Sequence, residues 1–173
     1  MPWALRTFDC RFETAHATGL GCKIGLVERR SDNLSLAQDL LERMASNGAD
    51  FTLTFRRLCD AAANSDADVA VRSLFANAHA FDDWAARWRQ RIAEEGGDAS
   101  DRQAAMRTAN PAFIPRNHLV EEAIVAAVTN GDFSPFENLL AVLSRPYEDQ
   151  PIFGRYSEPP RPEQIVHQTF CGT

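Results

Sequence analysis

Hydrophobic residues recur at helical spacing along almost the whole chain, and no run alternates apolar and polar positions as a half-buried strand would. Leu5, Phe8, Phe12 and Ala15 share one face of a first helical segment, which then meets Gly19-Leu20-Gly21, where two glycines weaken a helix. After a polar turn from Arg29 to Asn33, a second stripe of Leu36, Leu40, Leu41 and Met44 runs to Asn47-Gly48, a helix stop. Asp50 can cap a third helix that turns Phe51, Phe55, Leu58 and Cys59 inward. From Asp68 to Ile92 a longer pattern, with a break near His79, directs Leu74, Phe75, Phe81, Trp84, Trp88 and Ile92 to a core. Arg87, Arg89 and Arg91 fall mostly on the other side of that stripe.

Glu94 to Ser100, with its glycines and acids, reads as a solvated loop, followed by a short helix through Ala105 and Met106 that Asn110-Pro111 stops. A helix after Pro115-Arg116-Asn117 carries Leu119, Val120, Ala123, Ile124, Ala127 and Val128 on one face, and Asn130-Gly131 closes it. Ser134-Pro135-Phe136-Glu137 combines a capping box with proline at the first helical position, and predicts a helix burying Phe136, Leu139, Leu140 and Leu143. Five of the nine prolines then crowd between Pro146 and Pro162, so this stretch cannot be helical over its length. The pattern predicts an all-α protein: an irregular helical bundle over residues 1–145, with an extended Pro-rich tail over 146–173.

A chain of 173 residues, 45% hydrophobic and 24% charged, has the composition of one ordinary globular domain. Its formal net charge of −6 would repel phosphate backbones and anionic headgroups, so no nucleic-acid or membrane partner is expected. No apolar run approaches bilayer length and the start lacks the features of a signal peptide, from which a cytoplasmic location is expected. Cys10, Cys22, Cys59 and Cys171 form no Cys-x-x-Cys pair, which argues against a zinc ribbon or a dithiol redox motif. The 18 basic residues include a single lysine, so chemistry that requires an ammonium group has only Lys23 to draw on.

Local catalytic motifs are missing. Gly19-Leu20-Gly21-Cys22-Lys23-Ile24-Gly25 is glycine-rich but fits neither a P-loop, which needs Gly-Lys followed by Ser or Thr, nor a dinucleotide fingerprint. Asp50-Phe51-Thr52 and Asp132-Phe133-Ser134 imitate the metal-binding Asp-Phe-Gly turn of kinases, yet each reads better as a polar cap before a buried aromatic. His16, His79, His118 and His167 never pair at i and i+4 around a glutamate, and no Gly-x-Ser-x-Gly occurs. No catalytic, cofactor-binding or metal-ligating residue is therefore assigned.

A resemblance carries the reading further. Met106 to Glu122, Met-Arg-Thr-Ala-Asn-Pro-Ala-Phe-Ile-Pro-Arg-Asn-His-Leu-Val-Glu-Glu, closely resembles a signature of the SelO family (selenoprotein O, YdiU type). Asn47-Gly48-Ala49-Asp50-Phe51-Thr52 with Phe55-Arg56-Arg57-Leu58, then Gly131-Asp132-Phe133-Ser134, then Arg145-Pro146-Tyr147-Glu148-Asp149-Gln150-Pro151 agree in order. The ending Gln168-Thr169-Phe170-Cys171-Gly172-Thr173 resembles the family terminus, with cysteine where animal members carry selenocysteine.

The resemblance implies a pseudokinase-type enzyme that uses ATP and magnesium to transfer AMP to Ser, Thr or Tyr hydroxyls of protein substrates. It covers only the last third of the usual family length. The glycine-rich loop, phosphate-binding lysine, metal ligands and catalytic aspartate belong to a kinase-like N-terminal part that has no counterpart in this chain. That part is the expected partner, and the chain alone is expected to be inactive. The resemblance also suggests a redox role for Cys171, as a thiol delivered by a proline-stiffened tail. The alternative is a stand-alone helical interaction module; with either reading an exposed apolar patch is expected.

Overall fold

The computed structural model describes residues 3–28 and 30–166, with the backbone alone for 3–10 and 31. Among the described residues the regular structure is entirely helical, as the periodicity predicts. By proximity the chain divides between Asn110 and Pro111 into two compact units, a division that does not coincide with the change in proline content near residue 145.

The first unit contains α1 (Trp3–Lys23), α2 (Ser31–Asn47), α3 (Phe51–Ala63), α4 (Asp68–Arg72), α5 (Ala78–Glu95) and α6 (Ala99–Ala109). Its core gathers Ile24 and Leu26, the α2 stripe of Leu36, Ala37, Leu40 and Met44, the α3 stripe of Phe55, Leu58 and Cys59, and Phe81, Trp84 and Trp88 of α5. Two indoles tie this core to backbone: Trp84 Nε1 donates to the Leu36 carbonyl at 2.8 Å and Trp88 Nε1 to that of Ile24 at 2.7 Å. A buried Trp N–H without a partner would cost about 1–3 kcal/mol, so these bonds fix where α5 lies against α2 and the turn that follows α1.

Several local expectations hold for their stated reasons. Gly48 adopts φ 63° and ends α2, and Asp50 accepts from Leu53 N–H at 2.8 Å and starts α3. The loop expected over 94–100 is shorter, because α5 runs to Glu95 and Asp98, accepting from Ser100 and Asp101 N–H, starts α6 at Ala99. The break in the long fourth pattern falls at residues 73–77. Asn47, at the end of α2, holds it: its carbonyl accepts from Ala76 N–H at 3.3 Å and its Oδ1 from Asn77 N–H at 2.9 Å.

Others are corrected. The two glycines do not interrupt α1, which runs through them to Lys23. Gly21 serves close approach instead, since a Cβ there would stand 2.6 Å from the Leu26 carbonyl oxygen as the chain folds back on itself. Phe51 is half exposed rather than in the core; its ring packs at a tilt against Phe55 one turn later, with ring centroids 4.8 Å apart. Arg91 is buried rather than solvent-facing. Its guanidinium meets Asn33 Oδ1 at 3.0 Å, Glu94 at 2.8 Å and Glu28 at 3.4 Å, the pairing that a buried charge requires.

The second unit contains α7 (Asn117–Asn130) and α8 (Ser134–Leu143), turned at Gly131 with φ 64°. Its small core is Ala112, Phe113, Leu119, Leu139, Val142 and Tyr156. Ile124 and Val128 of α7 and Phe136 and Leu140 of α8, all expected inside, are exposed. The small core accepts only one narrow side of each helix. Ser134 does not cap α8 either: it is the first helical residue, and Asp132 Oδ1 accepts from its N–H at 2.9 Å. The proline-rich stretch is not simply extended, because Pro151–Ser157 forms 3-10 turns that bury Tyr156.

Candidate functional site

Lys23, the only ammonium group, sits where α1 ends. Its Nζ donates to the Ala109 carbonyl at 3.0 Å and to Asn110 Oδ1 at 3.2 Å, so the cation occupies the C-terminal end of α6, the negative end of that helix dipole. The rings of Phe51 and Phe55 lie 5.8 and 5.4 Å from Nζ, placing cation–π contact on the flank. Burial lowers the lysine pKa below its ordinary value, against a smaller opposing influence of Cys59. An ammonium with these partners is committed to protein groups and does not face an open phosphate cradle.

Asn110 is the centre of this node. It is fully buried; its Nδ2 donates to the Lys23 carbonyl at 2.8 Å and lies 3.6 Å from Cys59 Sγ, while its own carbonyl accepts from Arg56 Nη1 at 3.1 Å. One side chain thereby joins the ends of α1 and α6 to the middle of α3. Burial pushes the Cys59 thiol up, with the Asn110 hydrogen bond acting the other way, so Cys59 is a protonated core thiol rather than a nucleophile. On the adjoining loop Gly25 has φ 71°, its carbonyl accepts from Arg102 Nε at 3.1 Å, and a Cβ there would collide with the Met106 sulfur at 2.6 Å.

The segments that carry the family resemblance do comparable work elsewhere. Asn47, Gly48 and Asp50 end α2 and start α3, and Arg57 Nη1 reaches the Ala70 carbonyl at 2.7 Å. In the second unit the Pro146 carbonyl accepts from Ala112 and Phe113 N–H at 2.8 and 3.1 Å, joining the Arg145-Pro146 segment to Ala112-Phe113. Arg116 Nη2 donates to the Ser157 carbonyl at 2.7 Å, and Gln150 Nε2 to the carbonyls of Val142 and Arg145, each at 3.0 Å. These are turns, caps and crossings.

The remaining candidates separate rather than converge. Asp50 and Asp132, from the two kinase-like triplets, both satisfy backbone N–H groups at helix starts; those bonds hold Asp132 below its ordinary carboxylate range. His16 is exposed and stacked on Phe12, and His79 is exposed 3.7 Å from the Asp82 carboxylate. Burial and the neighbouring Arg116 lower the pKa of His118. Among the described residues no three His, Cys, Asp or Glu side chains are grouped so as to hold a metal ion, and no helix is long and apolar enough to cross a membrane. Cys171 and His167 lie outside the described residues.

Sequence reasoning missed the node around Asn110. The available signal was Asn110-Pro111 itself, read only as a helix stop; nothing local announces that its side chain meets a lysine 87 residues earlier.

The comparisons with known proteins agree with the resemblance. The family model described as Protein adenylyltransferase SelO matches residues 1–144. The Protein nucleotidyltransferase YdiU of a Bradyrhizobium species is 55% identical over 170 residues, covering 98% of this chain and 34% of the relative. Proteins of the same name from Methylorubrum extorquens and Rhodopseudomonas palustris are each 54% identical, over 98% and 96% of this chain and 35% and 34% of their own lengths. The chain thus spans about a third of the length of the relatives it matches.

Proposed function

The chain belongs to the SelO family of protein adenylyltransferases, and from that membership we propose that it is the helical third of such an enzyme, bracing a catalytic part built from the rest of the family polypeptide. In this reading the complete protein transfers AMP from ATP to hydroxyls of protein substrates, and the 173 residues by themselves do not. One observation carries the reading: Lys23, the sole ammonium, is spent on the Ala109 carbonyl and Asn110. Nucleotidyl transfer depends on positioning phosphates and neutralising their charge with cations and metal. In that respect the described residues lend ATP and magnesium no support, since the lysine ammonium is hydrogen-bonded within the protein and no three His, Cys, Asp or Glu side chains are grouped so as to hold a metal ion. ATP and Mg²⁺ are assigned to the longer protein, and no step is routed through them here.

The test is direct. Purified chain is incubated with labelled ATP, magnesium and a protein acceptor, beside the full-length Bradyrhizobium relative. The expected result is labelling by the relative and none by the chain; robust labelling by the chain overturns the proposal. The redox role of Cys171 belongs to the same proposal, and non-reducing mass spectrometry of a full-length relative that carries cysteine at the position of Cys171, with and without its replacement by alanine, tests it.

A further inference from the structure

The α7–α8 hairpin is more apolar than its own unit can use. From Leu119 to Val128 only Glu121, Glu122 and the small alanines interrupt the large aliphatic residues, so the helix is apolar almost all round. A helix of that kind belongs in the interior of a larger protein. Only Leu119 and Ala123 of α7 are buried, and only Leu139 and Val142 of α8. Ile124, Val125, Val128, Phe133, Phe136 and Leu140 stay exposed, from 51% at Val125 to 82% at Val128. On α7 the first three share a face with Glu121; Phe133, just before α8, and Phe136 and Leu140 of α8 follow at i, i+3 and i+7.

We propose that this face is the docking surface on which the remaining two thirds of the SelO polypeptide packs, through an apolar surface of its own. The inference rests on the family reading above and goes further by naming the contact. Three observations select this occupant. The relatives are about three times as long as this chain, so most of each lies outside it. The family match runs to residue 144, through both helices, so the hairpin is part of what the family shares. At these exposures the six side chains present on the order of 100 Å² each, roughly 600 Å² together, within the range of contacts between parts of one polypeptide. A second copy of the chain is disfavoured by its net charge of −6, since approach of like charges opposes pairing.

Carbene photolabelling read by mass spectrometry tests the proposal, with the isolated 173-residue chain and the full-length Bradyrhizobium relative as samples. Labelling at positions 124, 125, 128, 133, 136 and 140 is expected to be strong in the isolated chain and reduced about five-fold or more at the aligned positions of the relative, as befits the core of an interface. Equal labelling in both overturns the proposal. So does a face already protected in the isolated chain, whether by self-association shown in sedimentation or by its own first unit. Val128→Asp with Phe136→Asp gives an independent readout: the melting temperature of the isolated chain stays unchanged, and that of the relative with the aligned substitutions falls. A fall in both, or in neither, counts against the surface. The readouts do not use catalysis, so an inactive relative with a protected face would fault the activity reading alone, and an active relative with an unprotected face would fault this one alone.

Discussion

Replacing Asn110 by alanine should unfold the first unit far more readily than any surface change of similar size. The substitution removes the 2.8 Å bond from Nδ2 to the Lys23 carbonyl and the 3.2 Å bond from the Lys23 ammonium to Oδ1, in a position with no solvent exposure. A neutral hydrogen bond contributes about 1 kcal/mol and one to a charged group about 1.5–3 kcal/mol. Lys23 keeps its bond to Ala109 and is only half buried, so the lower figure applies to the second, and the sum is about 2–3 kcal/mol. For a unit of this size that corresponds to a melting temperature lower by on the order of 10–20 °C.

The assay should isolate the first unit, because two units need not unfold together. Tryptophan fluorescence does this: all three tryptophans, Trp3, Trp84 and Trp88, belong to the first unit, so urea denaturation followed at the indoles ignores the second. Thr108→Ala, on the exposed side of the same helix, serves as the control and should change stability by less than about 0.5 kcal/mol. A loss below about 1 kcal/mol in Asn110→Ala would show that the crossing of α1, α3 and α6 does not depend on this side chain.

The remaining predictions concern other parts of the first unit. Gly21→Ala should destabilise, although alanine is the better helix former by about 1 kcal/mol, because its Cβ would meet the Leu26 carbonyl oxygen at 2.6 Å; Gly19→Ala, with nothing within 4 Å, should be neutral or stabilising, and thermal melts of the pair decide. Trp88→Ala should cost about 3–5 kcal/mol in urea denaturation followed by circular dichroism, through a large cavity and an orphaned Ile24 carbonyl. Burial works against ionisation of Asp39, but hydrogen bonds from Arg87 and Arg43 outweigh it and leave its carboxyl below the ordinary value of 3.8. The unfolded chain therefore takes up this proton first as pH falls, so the stabilisation is complete above that ordinary value and is lost as pH drops through the lower folded one. Asp39→Asn should flatten the acid limb of a stability–pH profile, and an unchanged limb would refute the pairing.

The chain alone determined that the protein is helical and where many helices end, because those signals are local. Glycine at 48 and 131 can take positive φ, and Asp50 can reach an N–H three residues on; neither depends on what packs nearby. Apolar periodicity likewise identified the cores of α2 and α5, where Leu40, Trp84 and Trp88 are fully buried. Periodicity names an apolar side, however, and not the thing that covers it, which is why Phe136 and Leu140 were expected in a core that their unit does not extend to them. Partners distant in sequence are the other class that only the tertiary structure decided. Arg91 is buried because Asn33 and Glu28, some sixty residues earlier in the chain, are brought beside it, and Lys23 is spent because α6 ends next to it. A charge or an amide acquires its role from whatever the fold places within about 3 Å, and that proximity has no local signature.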